Sequence, residues 1–276
     1  MTLKKNTSPK WILSILLLVI VSVSFAWAYN LRNADPQLSS SRIHKAEEID
    51  PQAKKILMDM SNYLKSQKEF SFQSQGYFEV IDSVTGNKEK MNNSGELFVK
   101  RPNKIKVQRT GEKSDVELYC DGKQVTLYGK KLNYYASAPA ASNLDETFDN
   151  ISENLNIQLP GMDLLYSNVY KGLIQDVTSG KHMGKTEVGK VKCDHLSFIG
   201  KEVDWQIWIE EGEKKLPRKY VITSKMVEGK PEASIEITEW KTNIKLEDKL
   251  FTFTPPKTAK KIDFLQPKSD TQSKNK

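Results

Sequence analysis

The spacing of apolar residues changes near Phe70, and that change limits what the chain can fold into. Upstream, in IDPQAKKILMDMSNYLKSQKEF, the residues Ile56, Leu57, Met60, Tyr63 and Leu64 recur every three or four positions. That interval puts side chains on one face of an α-helix. Asp50 supplies an N-cap and Pro51 suits the first helical turn, so the spacing predicts an amphipathic helix over 51–67. Downstream, FSFQSQGYFEVID alternates with period two, and GNKEK supplies a turn. GELFVKRPNKIKVQRTG reads as two strands about a Pro-Asn turn, and SDVELYCDGKQVTLYGKKLNYYASA as three more, with turns at Asp121-Gly122 and Gly129.

Residues 143–174 interrupt this pattern. NLDETFDNISENLNI starts at a cap-like Asn143 or Asp145 and reads as a helix, and PGMDLLYSNVYKGL predicts a second, shorter one. Strands then resume through QDVTSGKHMGKTEV, GKVKCDHLSFIG, VDWQIWIEE, LPRKYVITSK and EASIEITEWKTNI, and the body closes on FTFTPPKTAKKIDF. The predicted fold class is mainly β (α+β), an antiparallel sheet of about ten strands. A twisted sheet of that size curls. We therefore expect a strongly curved sheet or incomplete barrel, with the N-terminal helix and the mid-chain insert covering its concave face.

The ends read differently. MTLKKNTSPK is basic, WILSILLLVIVSVSF is an uncharged apolar run, and Ala26-Trp27-Ala28 is an A-x-A site. That order is the signature of a secretory signal peptide over residues 1–28. The uncharged stretch from Trp11 to Ala28, 18 residues, also reaches the minimum for an uncleaved anchor; the A-x-A site favours cleavage. Either way the remainder is exported, which in a bacterium means the periplasm, free or tethered to the inner membrane. Residues 29–48 read as a polar tether, 49–264 as a single β domain and 265–276 as a disordered tail.

Charge excludes one large class of partners. The net charge is +7, and without Lys4, Lys5 and Lys10 of the export segment it is +4, too mild and too evenly spread for nucleic acid. Export permits disulfides. The two cysteines, Cys120 and Cys193, stand in strand-like stretches, where a bridge and a pair of buried thiols are both compatible with the sequence.

Catalytic signals are missing. The three histidines, His44, His182 and His195, have no zinc-ligand spacing, and no nucleophile elbow or phosphate loop occurs. His195 reads as a hydrogen-bonded strand residue. We expect no catalytic set, no metal and no cofactor. Aromatic residues are more informative. Most belong in a core, yet a curved sheet with few short helices has more concave apolar face than they fill, which predicts an apolar cavity. Its expected lining comes from the first helix (Leu57, Met60, Leu64), the insert (Leu165) and the strands (Phe72, Phe98, Leu118, Leu127, Trp205, Ile207). In VDWQIWIEEGEKKLPRKYVIT, the residues Val203, Trp205, Ile207 and Ile209 share a face, EEGEKK is the turn and LPRKYVIT the return strand. The segment is a hairpin with Trp205 facing inward and Trp208 outward.

The same hairpin, DWQIWIE…LPRK, resembles a signature of the bacterial family of predicted periplasmic proteins called domain of unknown function 2092. IDPQAKKIL, RPNKIKV, DGKQVTLY, YYA, LPGMDLL, VGKVKCDHLSF, ITEWK and FTFTPPKTAKKI support it over residues 48–264. The layout also resembles the LolA/LolB-like lipoprotein-localisation carriers, incomplete barrels closed by helices around an apolar cavity. That resemblance implies a carrier or sensor of a lipid or acyl chain, with a membrane or lipoprotein partner. It also implies an arginine that locks the lid, for which Arg101 and Arg109 are the candidates by position. The alternative from a different class is a non-enzymatic envelope module that binds a protein partner through a sheet edge.

Overall fold

The structure, a computed structural model, describes residues 48–264 apart from 83, 113, 114, 156 and 158–160. The expected signal segment, the expected tether up to residue 47 and the expected tail from residue 265 lie outside the described residues.

The predicted helix forms as α1, Pro51–Ser66. The Asp50 side chain accepts a hydrogen bond from the Gln52 amide at 2.8 Å and Pro51 starts the first turn. Ala53, Ile56, Leu57, Met60, Ser61 and Leu64 form the buried stripe. Six strands follow: β1 (Glu69–Ile81), β2 (Lys88–Lys100), β3 (Lys104–Gly111), β4 (Asp115–Cys120), β5 (Gln124–Gly129) and β6 (Tyr134–Pro139). The insert comprises α2 (Leu144–Glu153, capped by Asn143), a 3-10 turn at Met162–Leu165 and α3 (Val169–Ile174). Then come β7 (Val177–Val188), β8 (Val191–Gly200), β9 (Val203–Glu210), β10 (Pro217–Ser224) and β11 (Glu232–Thr242). A 3-10 turn (Asp248–Phe251) and the short β12 (Lys260–Lys261) complete the described chain.

All twelve strands form one sheet, ordered β12-β6-β5-β4-β3-β2-β1-β11-β10-β9-β8-β7. The expectation was about ten. β12 is the addition that sequence reading missed, and it is parallel to β6 where every other pairing is antiparallel. The sheet does not close, since β7 and β12 are its two edges. Register shifts between Gln73 and Ser74 and between His182 and Gly184 bend it locally.

Alternation decides the two faces. Phe72 pairs with Leu97, Leu97 with Val107, Val107 with Leu118, and Leu118 with Leu127, one apolar row across five strands. A matching row runs Ile235, Tyr220, Ile207, Leu196 on the other half. Both rows pack in one core with α1, α2 and α3. The opposite face carries a strap made by residues 248–262. Asp248 takes Lys100 and Lys104 at 2.8 and 2.7 Å, and the Phe253 ring sits 5.2–5.4 Å from the rings of Tyr119, Tyr128 and Tyr135.

Candidate ligand-binding site

The apolar core is not filled evenly. A cavity of about 80 Å³ lies on the concave face where β1, β2, β3 and β11 meet. Small residues hollow it out: in one cross-strand row, Ser74 pairs with Gly95 and Gly95 with Arg109. The next row, Phe72, Leu97 and Val107, forms the apolar wall. Its roof is the 3-10 turn, with Met162, Leu164 and Leu165 pointing down. Gly161 enters that turn at φ 84°, a left-handed conformation glycine adopts freely, and an added Cβ would stand 2.8 Å from Ile235 Cδ1. On the outer face, behind these strands, a wide polar depression carries Gln73, Gln108, Glu117 and Lys130, unsuited to an apolar chain.

The roof is tied down mainly at its C-terminal end. Arg101 Nη2 donates to the Leu165 carbonyl at 2.9 Å and to the Tyr166 carbonyl at 3.4 Å. Tyr166 donates its hydroxyl to Asp149 of α2 at 2.8 Å, and the Ser167 amide donates to Asp145 at 2.9 Å. The Tyr170 amide reaches Ser61 of α1. Of the two arginines singled out by position, Arg101 is therefore the one bonded to the roof.

Arg109 has a different environment. It lines the cavity and lies 4.9 Å from the centre of the Phe78 ring. Its Nε is sealed from solvent with no hydrogen-bond acceptor among the described residues. Burial alone pulls the guanidinium down to about 10, so it is still cationic at neutral pH. Asp163, in the roof, is pushed up to about 6 by burial, with only its own amide as an opposing hydrogen bond.

Nine of the ten expected lining residues fall in the one core: Leu57, Met60, Leu64, Phe72, Leu118, Leu127, Leu165, Trp205 and Ile207. Only Phe72 and Leu165 also line the cavity. Trp205 instead stacks on Phe198 at 4.1 Å, filling the half of the shell beneath α1. Phe98 requires correction. Leu97 and Val99 are buried on the concave side, so alternation turns Phe98 to the other face, where it is half-buried. The run Leu97-Phe98-Val99 is apolar throughout, and its composition cannot tell which residues face in. The other cavity residues were missed, among them Leu97, Val107, Met162 and Leu164 of its walls and roof and Ser74, Gly95 and Arg109, whose placement depends on register with distant strands.

The disulfide does not form. Cys120 and Cys193 are buried free thiols, on β4 and β8, which six other strands separate in the sheet. His195 is hydrogen-bonded to Gln206 at 2.8 Å and stacked on Trp208 at 4.2 Å on the outward face, as expected of a strand residue. His182 meets Asp194 at 3.0 Å, but among the described residues no serine or cysteine side chain is hydrogen-bonded to it. No cluster of three or more His, Cys, Asp or Glu poised for a metal occurs among the described residues.

An incompletely closed sheet with a short roof over an apolar cavity defines a class of architecture, that of an open barrel roofed by a short segment. Residues 53–265 match domain of unknown function 2092, predicted periplasmic protein, and the chain belongs to that family. It is accordingly periplasmic, and among the described residues no helix is long and apolar enough to cross a membrane. No curated protein matches the sequence. Similar solved structures include an uncharacterized conserved protein from Thermus thermophilus (13% identity, 77% of this chain and 99% of that one, TM-score 0.46). The lipoprotein LppX from Mycobacterium tuberculosis is 11% identical over 72% of this chain and 100% of that one, TM-score 0.45. A LolA superfamily protein from Nitrosomonas europaea is 12% identical over 73% and 97%, TM-score 0.35. These are loose likenesses of fold.

Proposed function

We propose that this protein is a periplasmic carrier or sensor that takes a lipid acyl chain between the curved sheet and the segment Gly161–Ile174, which opens as a lid. The observation that carries this reading is the cavity itself, apolar, on the concave face and roofed by a short segment. At about 80 Å³ it is well below the ~300 Å³ of a typical small-molecule pocket, so a chain enters only when the lid lifts. The energetics allow that. About ten buried methylenes return about 8 kcal/mol. Each lid hydrogen bond given up costs about 0.5–1.5 kcal/mol net. Arg101 is the latch in this scheme: its bond to Leu165 holds the lid down, and release of that bond accompanies entry.

Native mass spectrometry of protein purified from the periplasm, followed by organic extraction, tests the reading. We expect a stoichiometric lipid that leaves on extraction. A compact protein that carries none, and also ignores added fatty-acid probes, would shift the assignment to a module that binds a protein partner.

A further inference from the structure

Resting on the carrier reading, the position of Arg109 goes further and specifies the ligand's head. A cation in an apolar cavity is costly unless something offsets it. Here the Phe78 ring offers a partial offset at 4.9 Å, and among the described residues no carboxylate is paired with Arg109. Glu96 also lines the cavity rim, but it stands opposite Gln108 in the ladder, on the alternate face from Arg109. In the lining Arg109 shares its cross-strand row with Ser74 and Gly95, Asn93 stands in the next row, and the Phe78 ring lies against the guanidinium; on the other side the wall is Phe72, Leu97 and Val107. The cavity thus has an apolar row and, next to it, a polar one, and the cation stands in the polar row.

We propose that Arg109 is the seat of an anionic headgroup, and that the ligand is an amphiphile with a carboxylate or phosphate at one end of an acyl chain. The guanidinium fork takes two oxygens of either anion. The chain then runs beneath Met162 and Leu165 along the Phe72–Leu97–Val107 wall. This arrangement explains why the free protein keeps a half-buried arginine, its Nε sealed, without an acidic partner among the described residues: the partner comes with the ligand.

The test compares palmitate, a monoacyl glycerophosphate of the same chain length, hexadecanol and inorganic phosphate, each titrated calorimetrically into the purified protein and into its Arg109→Gln and Arg109→Lys variants. Charge-assisted hydrogen bonds of ordinary strength predict that Arg109→Gln weakens at least one of the two anionic amphiphiles by about tenfold or more. Hexadecanol should be unaffected, Arg109→Lys should recover part of the loss, and whichever anionic amphiphile binds more tightly names the head. Arg109→Gln should also raise the melting temperature, where loss of a purely structural arginine would lower it. Palmitate and hexadecanol binding equally, with Arg109→Gln changing neither, would overturn the headgroup seat and leave the carrier reading intact. Inorganic phosphate binding as tightly as either amphiphile would overturn the amphiphile. Failure of every chain-bearing probe to bind the unaltered protein would overturn both.

Discussion

Asp163 places a titrating carboxyl in the roof turn Met162–Leu165. Burial raises its carboxyl to about 6, and the negative charge also acts on Tyr220 beneath it. A raised pKa of this kind favours the protonated form in the folded state. The stabilisation is complete below the ordinary value of 3.8 and is lost as the pH rises through 6. Stability should therefore fall between pH 4 and 6. Asp163→Asn should abolish that loss, gaining on the order of 1 kcal/mol at pH 7.5, allowing for the partial solvent access of the residue, and almost nothing at pH 4. Urea denaturation at the two pH values measures it; an equally steep fall in the variant would remove Asp163 as the cause. The residue scale is also where sequence reading was weakest. Asp163 and Arg109 are ordinary surface types by composition, and only folding brings them against the apolar interior.

The C-terminal strap shows what an element without its own periodicity can do. In FTFTPPKTAKKIDF, Pro255 and Pro256 lack the amide donors of a regular ladder. In the fold it crosses the outer face, inserts Phe253 among three tyrosines and ends as β12 on the edge of β6. Phe253→Ala should cost about 2 kcal/mol, below the range for a fully buried ring because this one is half-exposed. A shift of the urea midpoint at unchanged slope checks it, and no shift would mean that the strap contributes nothing to stability. Regular elements were far more legible. The period of α1 gave its extent to within a residue, and the β9–β10 hairpin formed with Trp205 in and Trp208 out. Failures came where local pattern is silent, as in the uniformly apolar Leu97-Phe98-Val99 run.

At the scale of the molecule, the curved, open sheet follows from strand number and alternation, both readable from the chain. The cavity's position does not. Sequence placed it beneath both the first helix and the insert, but on the α1 side Leu57, Met60, Trp205 and Phe198 belong to the filled core. The space lies instead beneath the Met162–Leu165 turn, where Ser74 and Gly95 leave a hollow that only the β1–β2–β3 register creates. Entry of a chain at this hollow, by lifting of this lid, is the central claim. Amide hydrogen exchange with and without palmitate tests it most directly. Lid lifting predicts faster exchange across Met162–Leu173, slower exchange in β1, β2 and β3 around Ser74, Gly95 and Arg109, and no change in α1 or β9. Binding that instead alters α1 and β9 and leaves the lid untouched would contradict it.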